Sequence, residues 1–347
     1  MTTEVVDVAR EAARQREFEA GIEQLNAMGQ KVITKGRLYQ DGRDWEAEAM
    51  LDQWVGLYTR NIAEQYHAML RAPHIGVLKQ VFKGQDVAAA IVGAGPSLDR
   101  NAESLRGFPG VIIATDGAAK PLTARGIIPD IVVSVDPRPA VIAKMLDYPE
   151  NKDQVLLATV CINPDVAKVW KGRTIYTSLD NPDTQFFDRI IPELFPGMPR
   201  LFCTGNVGNT AVQVAHYMGV KRMVLVGQDY SYPGGLARCQ DWDRYPEGWR
   251  KVARPDGKDP AFDHRSGKVE DPRTGLMTYP PYLSYRDSLE TMADTWKLDI
   301  VNATEDGILT GFHMRPLAQE VTSLIKCGYM SATSAHARVI AALEADR

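Results

Sequence analysis

The 347 residues are too many for one minimal core and suit one large α/β domain with appended segments. With 44% hydrophobic residues, 24% charged residues and a formal net charge of −4, the chain carries neither a basic nucleic-acid footprint nor an acidic tail. No apolar run approaches the roughly 20 residues that cross a bilayer, and the opening MTTEVVDVAREAARQREFEA is charged and helical in pattern rather than signal-like, so the expectation is a cytoplasmic protein without a membrane span.

Residues 1–85 read as a helical N-terminal arm, with Trp45, Trp54 and Leu57 among apolar positions at mixed three- and four-residue spacing. From residue 86 the pattern changes to β-rich runs: VAAAIVGAG, VIIATDGAAK, DIVVSVDP, VLLATVC, RTIYTS, RLFCTGN, RMVLVGQD and LDIVNATEDG. Helical stretches such as AAKPLTARG, PAVIAKML, PDVAKVW, TQFFDRII and NTAVQVAHYMG lie between them. This β-α-β-α rhythm, with near-continuous apolar strands, predicts a doubly wound, mostly parallel Rossmann-like sheet over residues 86–330, covered on both faces. Residues 234–281 break the rhythm and read as a long irregular insertion. Its aromatic residues Trp242, Tyr245, Trp249 and Tyr279, with Tyr282 just beyond, either stack on a sugar or base or form the loop's own small core. YLSYRDSLETMADTWKL returns to helical spacing, and residues 331–347 form a last helix, which packs on its own core or on a partner subunit of a homo-oligomer.

The chemistry-bearing signals stand at strand ends, where open parallel sheets bind ligands. In IVGAGPSLDRN, Gly93 and Gly95 permit a tight turn and close approach of the backbone to a ligand, Pro96 suits an early helical position, and Ser97 offers its hydroxyl and N–H. This is anion-binding chemistry or a purely structural turn. It departs from the dinucleotide fingerprint, because Leu98 stands where GxGxxG has its third glycine, and that argues against an NAD-dependent oxidoreductase. Asp116, before Gly117 and about twenty residues past the glycines, suits a ribose contact or a helix cap. Asp136 and Asp229 follow apolar strands in the same way, and three acids converging on one sheet edge make a site. CTGNVGNTAVQVAHYMG repeats the strand, turn and helix design. Its Gly205, Asn206, Gly208, Asn209 and Thr210 form a second cradle for phosphate or carboxylate, or serve close packing. His216, well inside that helix, reads as packed or surface rather than catalytic. Glu305 in VNATEDGILTGF is a reserve base or ribose contact. The cysteines Cys161, Cys203, Cys239 and Cys327 lack any CxxC pair, so free thiols rather than a zinc site are expected.

GAGPSLDRN, LTARGIIPDIVVSVDP, GNTAVQVAHYMGVKRMVLVGQDYSYPGG and YRDSLETMADTWKLDIVNATEDGILTGF, in that order over roughly residues 85–320, resemble the 6-hydroxymethylpterin diphosphokinase-like domain, which bacterial motility accessory factors carry as their central domain. The resemblance implies one of two activities. The pterin enzymes move diphosphate from ATP to an alcohol with magnesium held by an acidic cluster, whereas the matching SVDPRP here offers Asp136 as its one acid. The motility accessory factors resemble glycosyltransferases that move a nonulosonic, sialic-acid-like sugar from a CMP-linked donor to a hydroxyl of flagellin, and VLVGQDYSYPGG and NATEDG look closer to this branch. The expectation is therefore a transferase with a nucleotide-sugar donor, a hydroxyl acceptor on protein or glycan and no required metal. Asp136, Asp229 or Glu305 acts as its base, and the two glycine turns hold the leaving phosphate. The alternatives are the magnesium-dependent diphosphokinase and a nucleotide-binding module without catalysis.

Overall fold

The computed structural model describes residues 39–40, 43–139, 141, 148, 152–180, 186–241 and 269–345. A nine-stranded sheet runs through the described residues, with strands β1 Ala88–Val92, β2 Val111–Thr115, β3 Ile131–Ser134, β4 Val155–Thr159, β5 Arg173–Asp180, β6 Arg200–Phe202, β7 Arg222–Val226, β8 Ile300–Asn302 and β9 His313–Met314. Their order is β9-β8-β7-β1-β2-β3-β4-β5-β6, and every pairing between neighbours is parallel. The fold is the doubly wound Rossmann-like α/β sheet expected from the alternating runs.

Side-chain alternation explains why both faces are covered. Ala89, Ile91, Val111, Ile113, Ile131, Val133, Val155 and Leu157 enter one apolar core. That core also takes in residues of α4 Val207–Tyr217, α5 Pro280–Trp296 and α7 Ala332–Glu344. Their neighbours Ala88, Ala90, Val92, Ile112, Ala114, Val132, Leu156 and Ala158 enter the cores of the opposite face. Those are completed by α1 Trp45–Arg71, α2 Asp116–Ala124, α3 Pro164–Val169 and α6 Leu317–Lys326. Each fully buried Ile, Leu or Val adds about 1.5–3 kcal/mol of transfer free energy, and the period-two pattern places that gain on both sides of every central strand.

The segment read as an arm contributes α1 to this packing. Tyr58, Ile62 and Met69 are buried against the sheet. Asn61 Nδ2 donates to the carbonyls of Pro137 (2.8 Å) and Cys161 (3.1 Å), and Gln65 Nε2 donates to that of Ile162 (2.8 Å). These side chain to backbone bonds fix α1 beside the loops that leave β3 and β4. At the other end of the chain α7 lies on its own sheet, with Ala335, Val339 and Leu343 buried in the first core. Of the irregular insertion, the described part includes a two-stranded ribbon, Val269–Glu270 with Met277–Thr278. The buried Asp271 beside it pairs with Arg286 of α5. Trp242, Tyr245 and Trp249 lie outside the described residues, as does nearly all of the helical stretch expected in PAVIAKML.

Candidate functional site

Winding reverses between β1 and β7. The chain moves outward from β1 to β6, then crosses back to add β7 on the other side of β1. At such a switch point the loops leaving the two strands part in opposite directions and leave a crevice. Here a cleft of about 700 Å³ opens there, lined from the ends of β1, β2, β3, β6 and β7 and closed by side chains of α1 and α5.

The floor of the cleft is the close approach of the first glycine turn to the end of β7. Gly93 N–H donates to the Val226 carbonyl and Gly95 N–H to that of Gly227, both at 2.8 Å. A Cβ on Gly95 would lie 1.8 Å from Asp229 Oδ2, so only glycine fits there. In the second turn Gly205 has φ 76°, and a Cβ there would also meet the Tyr285 ring at 2.6 Å. Asn206 caps α4 by accepting from Asn209 N–H at 3.1 Å. The first turns of α2 and α4 both line the cleft, and the positive ends of their backbone dipoles favour negative charge there.

Three carboxylates from different strand ends line the same space. Asp229 is 2% exposed, and its oxygens accept from Ser97 Oγ (2.7 Å) and Ser97 N–H (3.2 Å). Burial raises its pKa to about 6, against the opposing pull of the two Ser97 bonds. Asp116 accepts from Ser134 Oγ at 2.9 Å, and it is the first residue of α2 rather than its cap, a position that Thr115 takes. Asp136 is forked by Arg138, whose Nε and Nη2 donate to its two oxygens at 3.0 and 2.7 Å. The same guanidinium lies 5.3 Å from the centre of the Trp54 ring.

Tyrosines form the opposite wall. Tyr230, Tyr279, Tyr282 and Tyr285 line the cleft, with ring centres of neighbouring pairs about 6 Å apart. Tyr230 has φ 48°, a left-handed backbone conformation that costs a bulky residue energy. Its hydroxyl donates to Asn209 Oδ1 (2.9 Å) and its carbonyl accepts from Thr278 Oγ1 (2.6 Å), so the loop after β7 is tied to α4 and to the ribbon.

Of the residues expected at a site, the cleft brings together Gly93, Gly95, Asp116, Gly117, Asp136, Gly205, Asn206, Gly208, Thr210 and Asp229. Pro96, Ser97, Asn209 and Glu305 do not line it. Ser97 is fully buried, and its hydroxyl and N–H serve Asp229 rather than an outside anion. Asn209 donates to the Tyr285 carbonyl at 2.9 Å. Glu305, an exposed residue at φ 65°, accepts from Leu317 N–H at 2.9 Å and so holds the first turn of α6 instead of facing the cleft. Leu98 is buried in the core beneath the turn, which answers the lost third glycine with apolar packing. His216 stacks on Trp296 at 4.8 Å between ring centres. None of the four cysteines forms a disulfide; Cys161 and Cys239 are buried, Cys203 is partly buried in the cleft wall and Cys327 is exposed. Sequence reasoning missed Arg138, although it falls inside SVDPRP, and also Gln228, Arg238 and Tyr285. A proline-flanked arginine at a strand end was the available signal for the first.

Among the described residues no three His, Cys, Asp or Glu side chains gather to hold a metal ion, and no helix is long and apolar enough to cross a membrane. The cleft carboxylates Asp116, Asp136 and Asp229 are engaged by Ser134, Arg138 and Ser97 respectively.

A family model described as 6-hydroxymethylpterin diphosphokinase MptE-like matches residues 60–235, just over half of the chain. Among solved structures the chain is similar to the MAf glycosyltransferase from Magnetospirillum magneticum AMB-1, with 18% identity and a TM-score of 0.53. The match covers 82% of this chain and 42% of that one, and at this identity the likeness is one of fold. No protein of curated function matches.

Proposed function

The chain belongs to the MptE-like 6-hydroxymethylpterin diphosphokinase family, a family of transferases, and from that premise we propose that the cleft holds the phosphate of a nucleotide-activated donor and passes the activated group to a hydroxyl acceptor. The observation that carries this reading is the meeting at the switch point of the two glycine turns, the first turns of α2 and α4, and an acid whose pKa is about 6. The first turns of α2 and α4 at one place stabilise charge that builds on a leaving phosphate and need no reorganisation as it forms, whereas the amides of Gly93, Gly95 and Ser97 expected in that role are spent on Val226, Gly227 and Asp229. Arg138 adds a planar cation at the rim. Asp229 is ionised at neutral pH yet more basic than an ordinary aspartate, which suits a general base.

The favoured reaction is glycosyl transfer from a CMP-linked nonulosonic acid. The acceptor O–H gives its proton to Asp229 as its oxygen bonds to the anomeric carbon, the bond from that carbon to the phosphate oxygen breaks, and CMP leaves with the electron pair. The tyrosine wall and Trp54 offer flat apolar surfaces for a base or sugar ring. The similarity in fold to a MAf glycosyltransferase supports this choice. A second reading, diphosphate transfer from ATP to a pterin-like alcohol, is favoured by the family's description.

Thermal denaturation with CMP, CDP, UDP, ADP and ATP, each with and without magnesium, separates the two, because a ligand that binds only the folded chain raises its Tm. A metal-independent rise with CMP is the expected result. A rise confined to ATP with magnesium transfers the assignment to the diphosphokinase, and no rise with any nucleotide refutes both.

A further inference from the structure

The amide of Gln228 sits on the cleft floor between the two glycine turns. Gln228 is 4% exposed and lines the cleft. A Cβ on Gly93 would meet its amide nitrogen at 3.1 Å, and a Cβ on Gly208 would meet its amide oxygen at 2.6 Å, so both glycines exist in part to admit this side chain. Its backbone is held by a bond from Gln228 N–H to Thr304 Oγ1 at 3.2 Å. Yet Nε2, a buried donor, has no hydrogen-bond partner in the protein. Thr204 Oγ1, another atom of the cleft lining, is also buried without one.

A buried donor without a partner costs stability, typically more than a satisfied bond returns, so folding alone does not explain an amide here. An apolar side chain of the same length fills the space without that cost. A glutamine kept in this position has a use in the ligand-bound state, when an acceptor atom enters the floor. Next to it stands the first turn of α4, with Asn206, Val207 and Gly208 all in the lining, so the acceptor carries negative charge.

We propose that Gln228 Nε2, with Thr204 Oγ1 beside the second glycine turn, is the hydrogen-bonding contact to a phosphate oxygen of the ligand. This rests on the donor-phosphate reading and adds to it the side chain that selects the anion. Gly227 and Tyr230 take left-handed backbone conformations on either side of Gln228 and Asp229.

The test uses the full chain and inorganic pyrophosphate, a probe that carries no base or sugar, followed by CMP and cytidine, all by titration calorimetry. Gln228→Met keeps length and removes the donor. Its expected effects are a pyrophosphate affinity reduced about tenfold or more and a urea midpoint equal to or above that of the wild type, since an unpaired donor has been removed. Gln228→Glu keeps the shape and brings a carboxylate to the anion, and is expected to abolish pyrophosphate binding. In Gln228→Met the preference for CMP over cytidine should shrink by the same factor as the pyrophosphate affinity. Unchanged pyrophosphate affinity in both variants overturns the proposal and leaves the donor reading standing. Equal losses for CMP and cytidine also overturn it, because the contact is then to the nucleoside. Wild-type binding of pyrophosphate but not CMP, with the expected losses in the variants, supports the anion contact while removing the CMP-linked donor. Absence of any binding to the wild type overturns both.

Discussion

Replacing Asp229 by Asn tests the electrostatics of the switch point directly. Burial moves this carboxyl from 3.8 to about 6, so the folded chain binds its proton more tightly than the unfolded chain does. The sign follows from linkage. Relative to a side chain that does not titrate, Asp229 contributes stability that is fully present below its unfolded pKa and is lost as pH rises through about 6. Between pH 5.0 and pH 7.5 the loss amounts to about 1.4 kcal/mol, from the two proton-binding curves with pKa values of 3.8 and about 6. Asn cannot ionise, so the stability of Asp229→Asn minus that of the wild type should rise by about that amount over the same interval and stay level above pH 7.5. Urea titrations of both proteins at several pH values, in one buffer system, measure the difference and cancel every other titrating group that the two share. The bonds from Ser97 favour the ionised carboxylate, so their effect on the pH dependence is already contained in the folded value of about 6. A difference that is flat from pH 5.0 to 7.5, or that falls as pH rises, refutes a raised pKa and with it the argument that this acid is a tuned base.

Other consequences of the geometry are open to measurement. Gly95→Ala places a Cβ 1.8 Å from Asp229 Oδ2 and 2.7 Å from the Gly227 carbonyl, so chemical denaturation should show a loss of about 1–3 kcal/mol, and the rise in Tm with nucleotide should disappear. Arg138→Lys keeps the charge but not the fork on Asp136; nucleotide affinity is expected to fall several-fold in calorimetry while the Tm without ligand stays within about a degree, the arginine side chain being half-exposed. Arg286→Met leaves the carboxylate of Asp271 buried without its partner and should cost about 3 kcal/mol in urea unfolding, with much of the loss recovered when Asp271→Asn is added. His336 of α7 is bonded to Asp130 at 2.7 Å, and that bond raises its pKa above 6.5. Its contribution is complete below pH 6.5 and fades as pH climbs past the raised value, so protection of the α7 amides from hydrogen exchange should decline there more in the wild type than in His336→Gln.

The sheet was legible in the sequence because its central strands are apolar on both faces. Each of the eight β-rich runs is a strand, down to the three residues of Arg200–Phe202. The ninth strand, His313–Met314, has two exposed residues and no apolar run, so periodicity had nothing to detect. The glycine turns and the three acids were visible for a related reason: each stands where an apolar run stops, and the winding of a parallel sheet sends all those stops to one edge. Glu305 shows the limit of that rule. It also follows a strand end, yet its loop turns toward α6, and the direction of a loop is decided by what it packs on rather than by its own residues. Arg138 and Gln228 escaped notice because their roles depend on neighbours distant in sequence, Trp54 for the one and the Gly93 and Gly208 turns for the other.

Strand β1 is an interior strand of the sheet and the first of its strands to leave the ribosome. Its partner β2 follows at once, but the other edge of β1 stays open until β7 is made, because Ala88 pairs with Arg222. While the 134 residues between the ends of β1 and β7 are being made, the nascent chain therefore carries a bare edge on the apolar strand AAAIV, with every residue destined for burial. A half-finished molecule is thus a template for its neighbours and has no switch-point crevice, so shielding by chaperones should matter most before residue 226 emerges.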